Sequence, residues 1–352
     1  MVVGAREPGA VIRAAREPMA LALVALAVLG ALSALWTLGP DERTLRWAAV
    51  TLGYAAVFAA AAGAAHDERG RIALAVGIGA IATVSGALAL IATALHEEPY
   101  ALEIGGGWRP AGPLEYPPAL ALLMVCALPV FAEAIRARGS LIRVAGAAGV
   151  ALSTAVVALT QSRLALALGL IVAAAFVYRT TRRATAVAAG TAVLLVAGLL
   201  AFGPGDGPES GFLHGREDTW GAAVETFVDR PIEGTGADAF LAGSARHQDG
   251  AAIAFAHSLP LELAAELGLL GLLLALALYA TTAELVWTTR ATNAVWLFAP
   301  AALAFLAANL LDWPWHLAGV GAIWSLACGA LAGTRASPAN LPGSAFQLQG
   351  DP

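Results

Sequence analysis

Apolar residues fill most of the chain in long runs, separated by short stretches that carry Arg, Asp, Glu, Pro and Gly. A helical run of about 20 apolar residues crosses roughly 30 Å of hydrocarbon, so each run reads as a membrane span. Dividing the chain at its polar breaks predicts ten spans, at about 19–39, 46–65, 72–95, 117–135, 142–160, 164–178, 184–202, 259–283, 294–311 and 317–333. The sixth is short, as a tilted span or one buried among neighbours would be. The run at 19–39 follows Arg6, Arg13 and Arg16 as a signal peptide would, but it is too long for such a segment and reads as a first span.

The predicted fold is therefore all-α: a polytopic membrane protein of about ten transmembrane helices with one long extracytoplasmic loop. It divides into an N-terminal bundle of about seven spans (1–202), the loop (203–258), three C-terminal spans (259–333) and a cytoplasmic tail (334–352). Within the loop, Trp220, Val224 and Phe227 recur at helical intervals and predict a short amphipathic helix lying on the membrane surface. A smaller outer loop, about 96–116, carries Trp108, Arg109 and a Gly/Pro-rich stretch. No internal repeat is visible, which speaks against a transporter assembled from inverted halves.

Composition sharpens this picture. The chain is 59% hydrophobic and 13% charged, with a mean hydropathy of +0.73; an ordinary soluble domain is roughly a quarter charged. That excludes disorder, a basic nucleic-acid-binding domain and a single soluble core. Cys126 and Cys328 both sit inside apolar runs and make neither a disulfide framework nor a metal site. All 20 basic residues are Arg. With a cytoplasmic N-terminus, thirteen of them fall in inner segments and four (Arg43, Arg46, Arg109 and Arg163) in short outer loops. Arg216, Arg230 and Arg246 lie in the long loop, which carries little weight in the positive-inside rule. The bias predicts a multi-pass protein with both termini cytoplasmic. Trp36, Trp47, Trp108, Trp287, Trp296, Trp313 and Trp315 fall near span ends, where indole suits the headgroup layer.

Candidate chemistry gathers on the predicted outer face. Arg163 stands in a minimal turn, Thr160-Gln161-Ser162-Arg163, at headgroup depth. It is either a snorkelling interfacial side chain or an anion clamp, since the guanidinium fork matches phosphate oxygens. Its position against the positive-inside trend favours the clamp. Arg216 is followed directly by Glu217 and Asp218, so a local ion pair competes with a functional role. His257 closes the long loop just before the eighth span. Imidazole ordinarily titrates near neutrality, so it can serve as a general base for a hydroxyl, or simply as an interfacial polar tip. Glu262 and Glu266, four apart on one helix face, can orient His257 or an arginine, or make a packing hydrogen bond. Asp312, Trp313, Trp315 and His316 cluster in the last outer turn. Pro231 to Gly236 reads as a tight structural turn. No metal-ligand spacing and no phosphate-binding glycine loop occur, so no cofactor is expected.

These motifs together resemble a known family. His257-Ser258, nine residues, then Gly268-Leu269-Leu270-Gly271 fits the His-[Asn/Ser/Gln]-x9-Gly-x-x-Gly pattern of O-antigen ligases and related Wzy-type polymerases. Arg216-x3-Trp220, then Pro231-x2-Gly234-x-Gly236 and Phe240, resembles the family's outer loop; Ser162-Arg163 is similar to its Ser-Arg turn, and Arg109-x-x-Gly112 to a segment that opens a span. The chain departs from the family at Pro118, where Asn is usual, and has Ser258 where Asn is frequent.

The resemblance implies metal-independent, inverting transfer of a glycan from undecaprenyl diphosphate to an acceptor hydroxyl on a lipid, glycan or protein. The reaction would take place at the outer face of the bacterial cytoplasmic membrane, with no nucleic acid partner. It assigns Arg163, Arg216 and Arg109 to the diphosphate and His257 to acceptor activation or leaving-group contact. Trp220, Ser258, Glu262, Glu266, Gly268, Gly271 and Asp312 are supporting residues. A polymerase with the same chemistry and a flippase or secondary transporter stand as alternatives. A transporter should show charged or broken helices at the bilayer midplane.

Overall fold

In a computed structural model, residues 8–179, 190, 216–248 and 252–335 are described. The expected span at 184–202 apart from residue 190, residues 203–215 (His214 among them) and 249–251 of the long loop, and most of the tail lie outside them. Among the described residues the chain is mostly helical, and helices stand at the nine other expected span positions. They are α2 (Pro18–Ser33), α3 (Asp41–Ala64), α4 (Glu68–Leu95), α5 (Pro117–Ile135), α6 (Ser140–Thr160), α7 (Arg163–Arg179), α10 (Leu259–Thr289), α11 (Ala294–Ala308) and α12 (Ala318–Arg335). A short α1 (Pro8–Ala14) precedes them. By length and composition α3, α4, α5, α6 and α10 can cross a membrane, and α2, α7 and α11 are shorter apolar helices. The chain is a multi-pass membrane protein.

α5 is the axis of the bundle. Every residue from Ala119 to Pro129 is buried, and α6, α7 and α11 pack around it. On the other side α3 lies between α2 and α12. Small residues bring that pair close: a Cβ added at Gly333 would sit 2.2 Å from the Ala62 carbonyl oxygen. Large side chains such as Leu21, Val28, Val76 and Ile91 are exposed on the helix faces turned away from the bundle, as lipid contact requires.

Two expectations are corrected. The chain is not wholly α-helical, because the loop before α5 contains a hairpin of β1 (Ala101–Ile104) and β2 (Gly107–Pro110), paired antiparallel. Gly105 and Gly106 both take positive φ, 63° and 76°, which is the two-residue turn whose twist matches that of its strands. The helix expected in the long loop forms as α8 (Arg216–Asp229), but a different face packs. Thr219, Ala222, Ala223 and Thr226 are buried and α8 rests on α10, while Val224 is 47% exposed. The small side chains allow the closer approach, so the bulkier ones flank the contact. A five-residue helix, α9 (Phe240–Ser244), follows.

α10 is broken near its start. Gly268 has φ 63° and ψ −155°, far from helical values, and the loop from Pro231 to Gly236 fills the break. The Thr235 N–H donates to the Ala265 carbonyl (3.1 Å), the Gly236 N–H to that of Glu266 (2.8 Å), and the Leu269 N–H to that of Pro231 (2.8 Å). The backbone groups released by the kink are thus satisfied by the loop, as burial in or near a bilayer demands. The two glycine motifs, far apart in sequence, are one structural joint.

Candidate functional site

At one end of the bundle a cavity of about 380 Å³ is lined by residues from five separate stretches of the chain. Arg109 comes from β2, Tyr116 and Pro118 from the start of α5, Arg163 from the start of α7, Arg216 from α8, and Asp312 from the turn after α11. Three expected arginines are thus brought together.

Local structure explains each placement. Gln161 closes α6 in a left-handed conformation (φ 56°), so that Arg163 opens α7 two residues later. Arg216 belongs to α8. A cation at a helix N-terminus works against the helix dipole, while an anion there is favoured by both dipole and guanidinium. Arg109 enters from the hairpin, across the ladder from Leu102. Its Nε is buried without a hydrogen-bond partner, and desolvation pulls the guanidinium below the ordinary arginine range.

A carboxylate faces the arginines. Asp312 is 7% exposed; it accepts from the Tyr116 hydroxyl (3.0 and 3.2 Å) and from the Trp313 N–H (2.9 Å). Burial, then the Asp312 charge, pushes the Tyr116 phenol well above the usual tyrosine range, so the hydroxyl keeps its proton and donates. His257 does not line the cavity itself. Its Nδ1 lies 3.5 Å from Asp312 Oδ1, and its backbone is left-handed, with φ 53°.

The remaining expected residues surround this centre in structural roles. Ser258 is the buried N-cap of α10 and makes no side-chain cap bond. Glu262 is 2% exposed. Its Oε2 accepts from the Ala256 N–H (2.8 Å), and its other oxygen meets Nε2 of His316. Glu266 accepts from the Asp238 and Phe240 N–H groups (2.9 Å each), fastening the loop before α9 to α10. Asp238 in turn holds Arg43 through two 3.0 Å bonds. At Gly268 a Cβ would sit 2.2 Å from the Ile232 carbonyl oxygen, and at Gly271 2.2 Å from that of Leu263. Trp220 is half-buried one turn beyond Arg216, outside the cavity wall. Trp313 stacks between Tyr116 and Phe255. Trp315 is buried in the core beside Tyr54 and Trp324 and plays no part in the cavity.

His247, in the long loop, bonds Glu225 (2.9 Å) and Asp229 (2.5 Å) and ties the turn after α9 to α8. Those contacts, with Arg246, hold the Asp229 carboxyl below its ordinary range. Sequence reasoning passed over Tyr116, Asn309 and the Arg43–Asp238 pair. Only Tyr116 carried a signal, standing at the end of the Arg109 segment.

Residues 148–276 match the family model described as O-antigen ligase, which bears out the resemblance read from the motifs. The match takes in Arg163, Arg216, His257, Gly268 and Gly271 and ends before Asp312 and His316. No curated protein matches the chain.

Proposed function

With an O-antigen ligase domain at residues 148–276 as the premise, we propose that this protein transfers a glycan from undecaprenyl diphosphate to an acceptor hydroxyl at the outer face of the bacterial cytoplasmic membrane. The observation that carries the reading is the convergence of Arg109, Arg163 and Arg216 in one cavity, with the Asp312–His257 pair at its edge.

In this reading the diphosphate lies against the three guanidinium groups, whose planar forks suit its oxygens. The acceptor oxygen attacks the anomeric carbon on the face opposite the diphosphate, and configuration inverts. As that bond forms, the carbon–oxygen bond to the diphosphate breaks. Undecaprenyl diphosphate leaves with the bonding pair, and the arginines stabilise its charge. His257 takes the acceptor proton on Nε2, while Asp312 beside Nδ1 favours the resulting imidazolium. Tyr116 holds Asp312 in place. The arginines supply the positive charge that a metal ion would otherwise bring, so the step is read as metal-independent.

A polymerase would use the same step with a growing glycan as acceptor; the length of the product separates the two. A transporter is disfavoured by the kink in α10. The backbone groups it frees are taken up by the chain's own loop, whereas transporter half-helices leave theirs for substrate or ion.

The test is transfer from an undecaprenyl-diphosphate-linked glycan by the purified protein in detergent, with chelator present. His257→Ala should lower the rate by about 10²–10⁴-fold while folded protein accumulates normally. Near-normal transfer by His257→Ala, or loss of transfer on adding chelator, would overturn the assignment.

A further inference from the structure

We infer that the turn after α11, residues 309–316, acts with Glu262 as a clamp that sets the catalytic geometry of His257, and that Glu262 and His316 are its positioning residues. The inference rests on reading His257 as the acceptor base.

His257 holds a left-handed backbone (φ 53°), a conformation uncommon for a residue with a side chain and kept only where the surroundings impose it. The constraint comes from both sides. Just before it, the Ala256 N–H donates to Glu262 Oε2 at 2.8 Å. Just after it, the Leu259 N–H donates to the Asn309 carbonyl at 2.7 Å. The second oxygen of Glu262 meets His316 Nε2. The His316 ring also lies against Phe255, with ring centres 4.2 Å apart.

The turn that provides these contacts is itself fixed. The buried Asn309 side chain donates to the Phe305 carbonyl (2.9 Å) and accepts from the Trp315 N–H (3.0 Å). The same turn carries Asp312, the carboxylate that faces Nδ1 of His257. One element therefore determines both where the imidazole sits and what it pairs with. Glu262 and His316 reach Ala256 and Phe255, the two residues just before His257, so they act through the backbone that carries His257 rather than on substrate. The turn lies beyond the residues that match the O-antigen ligase model.

A base displaced by about an ångström loses on the order of 10²-fold in rate while the binding groups are untouched. The test measures kcat for transfer from undecaprenyl-diphosphate-linked glycan isolated from host membranes, and separately the affinity for undecaprenyl diphosphate alone, on the full chain in detergent. Glu262→Ala and His316→Phe should each lower kcat by about 10²-fold, with affinity for undecaprenyl diphosphate unchanged. Glu262→Gln keeps an oxygen for the Ala256 N–H and an amide for His316, so it should restore most of the rate. The double variant His257→Ala/Glu262→Ala should be no slower than His257→Ala, since two residues acting through one step do not add. His316→Phe keeps an aromatic ring on Phe255, so the test survives if Glu262→Ala fails to accumulate.

A normal rate for folded Glu262→Ala or His316→Phe, beside an inactive His257→Ala, overturns the clamp alone. So does a Glu262→Gln variant as slow as Glu262→Ala, or a parallel loss of undecaprenyl diphosphate affinity. A normal rate for His257→Ala overturns the base assignment and the clamp with it.

Discussion

Replacing Gly268 by Ala should undock the loop from α10 without unfolding the bundle. At φ 63° and ψ −155° the backbone occupies a region essentially reserved for glycine, where another residue costs about 1–3 kcal/mol. The new Cβ would also fall 2.2 Å from the Ile232 carbonyl oxygen, so the loop must shift even if the strain is borne. The alternative is for α10 to straighten, which gives up the three inter-segment backbone bonds at Ala265, Glu266 and Leu269. Each is worth about 1 kcal/mol net. By either route the docked state loses about 2–4 kcal/mol, which shifts the docking equilibrium by roughly 30- to 10³-fold at 1.4 kcal/mol per tenfold. Two readouts separate undocking from unfolding. Cleavage by a glutamyl endopeptidase after Glu233 should accelerate, because the following glycine is buried only in the docked loop. Cys126 and Cys328, both buried in the bundle, should stay protected from a thiol-reactive dye. Unchanged cleavage together with unchanged transfer would refute the idea that the two glycine motifs form one joint.

Arg163→Lys keeps the charge but loses the bidentate fork, so transfer should fall sharply, while Arg143→Lys, at an exposed start of α6, should leave the rate intact. Arg179, which from sequence alone would serve as the silent control, is unsuitable. It bonds Glu133 (2.7 Å) and Asn293 (2.9 Å) and lies over Trp296, so Arg179→Lys should lower thermal stability. For topology, Glu217→Cys should react with an impermeant maleimide in intact cells and Arg138→Cys only after lysis; the reverse pattern would invert the proposed orientation. Tyr116→Phe should lower transfer by freeing Asp312. Because the phenol is raised above its ordinary 10.0, the stability from its bond is fully present below about pH 10 and lost only as pH rises through the higher folded value; a stability loss between pH 7 and 9 that vanishes in Tyr116→Phe would contradict this.

The helices were legible because apolar runs of spanning length have few other uses. The expected 117–135 coincides with α5, where Pro117-Pro118 opens the helix and Arg136 caps it. The hairpin is less legible: Gly105-Gly106 is a recognised turn signal, but its strands are only four residues each and lie in a stretch rich in Gly and Pro. At the site, motif order brought the three arginines under one resemblance, but their convergence depends on β2, α7 and α8 meeting at one end of the bundle. No local pattern states that. Glu262 and Glu266 illustrate the same limit. Spacing placed them on one helix face, yet one holds the residue before His257 and the other the loop before α9. The partner of the first, His316, stands 54 residues away.

The structured joints of the bundle share a property that bears on function. Non-glycine residues in left-handed conformation include Glu115 beside Tyr116, Gln161 beside Arg163, His257 itself, and Asp238, which grips Arg43. Such backbone is tolerated where packing over-determines it, and it concentrates at sites whose geometry matters more than local stability. Arg163 also opens a helix, where the dipole disfavours positive charge. Strain in the joints and the positive charge at the start of α7 both weigh against the fold on its own. In the proposed function the charge at Arg163 is compensated when the diphosphate occupies the cavity. The proposed function accounts for this arrangement as preorganisation for a charged leaving group, which membrane anchoring alone would not require.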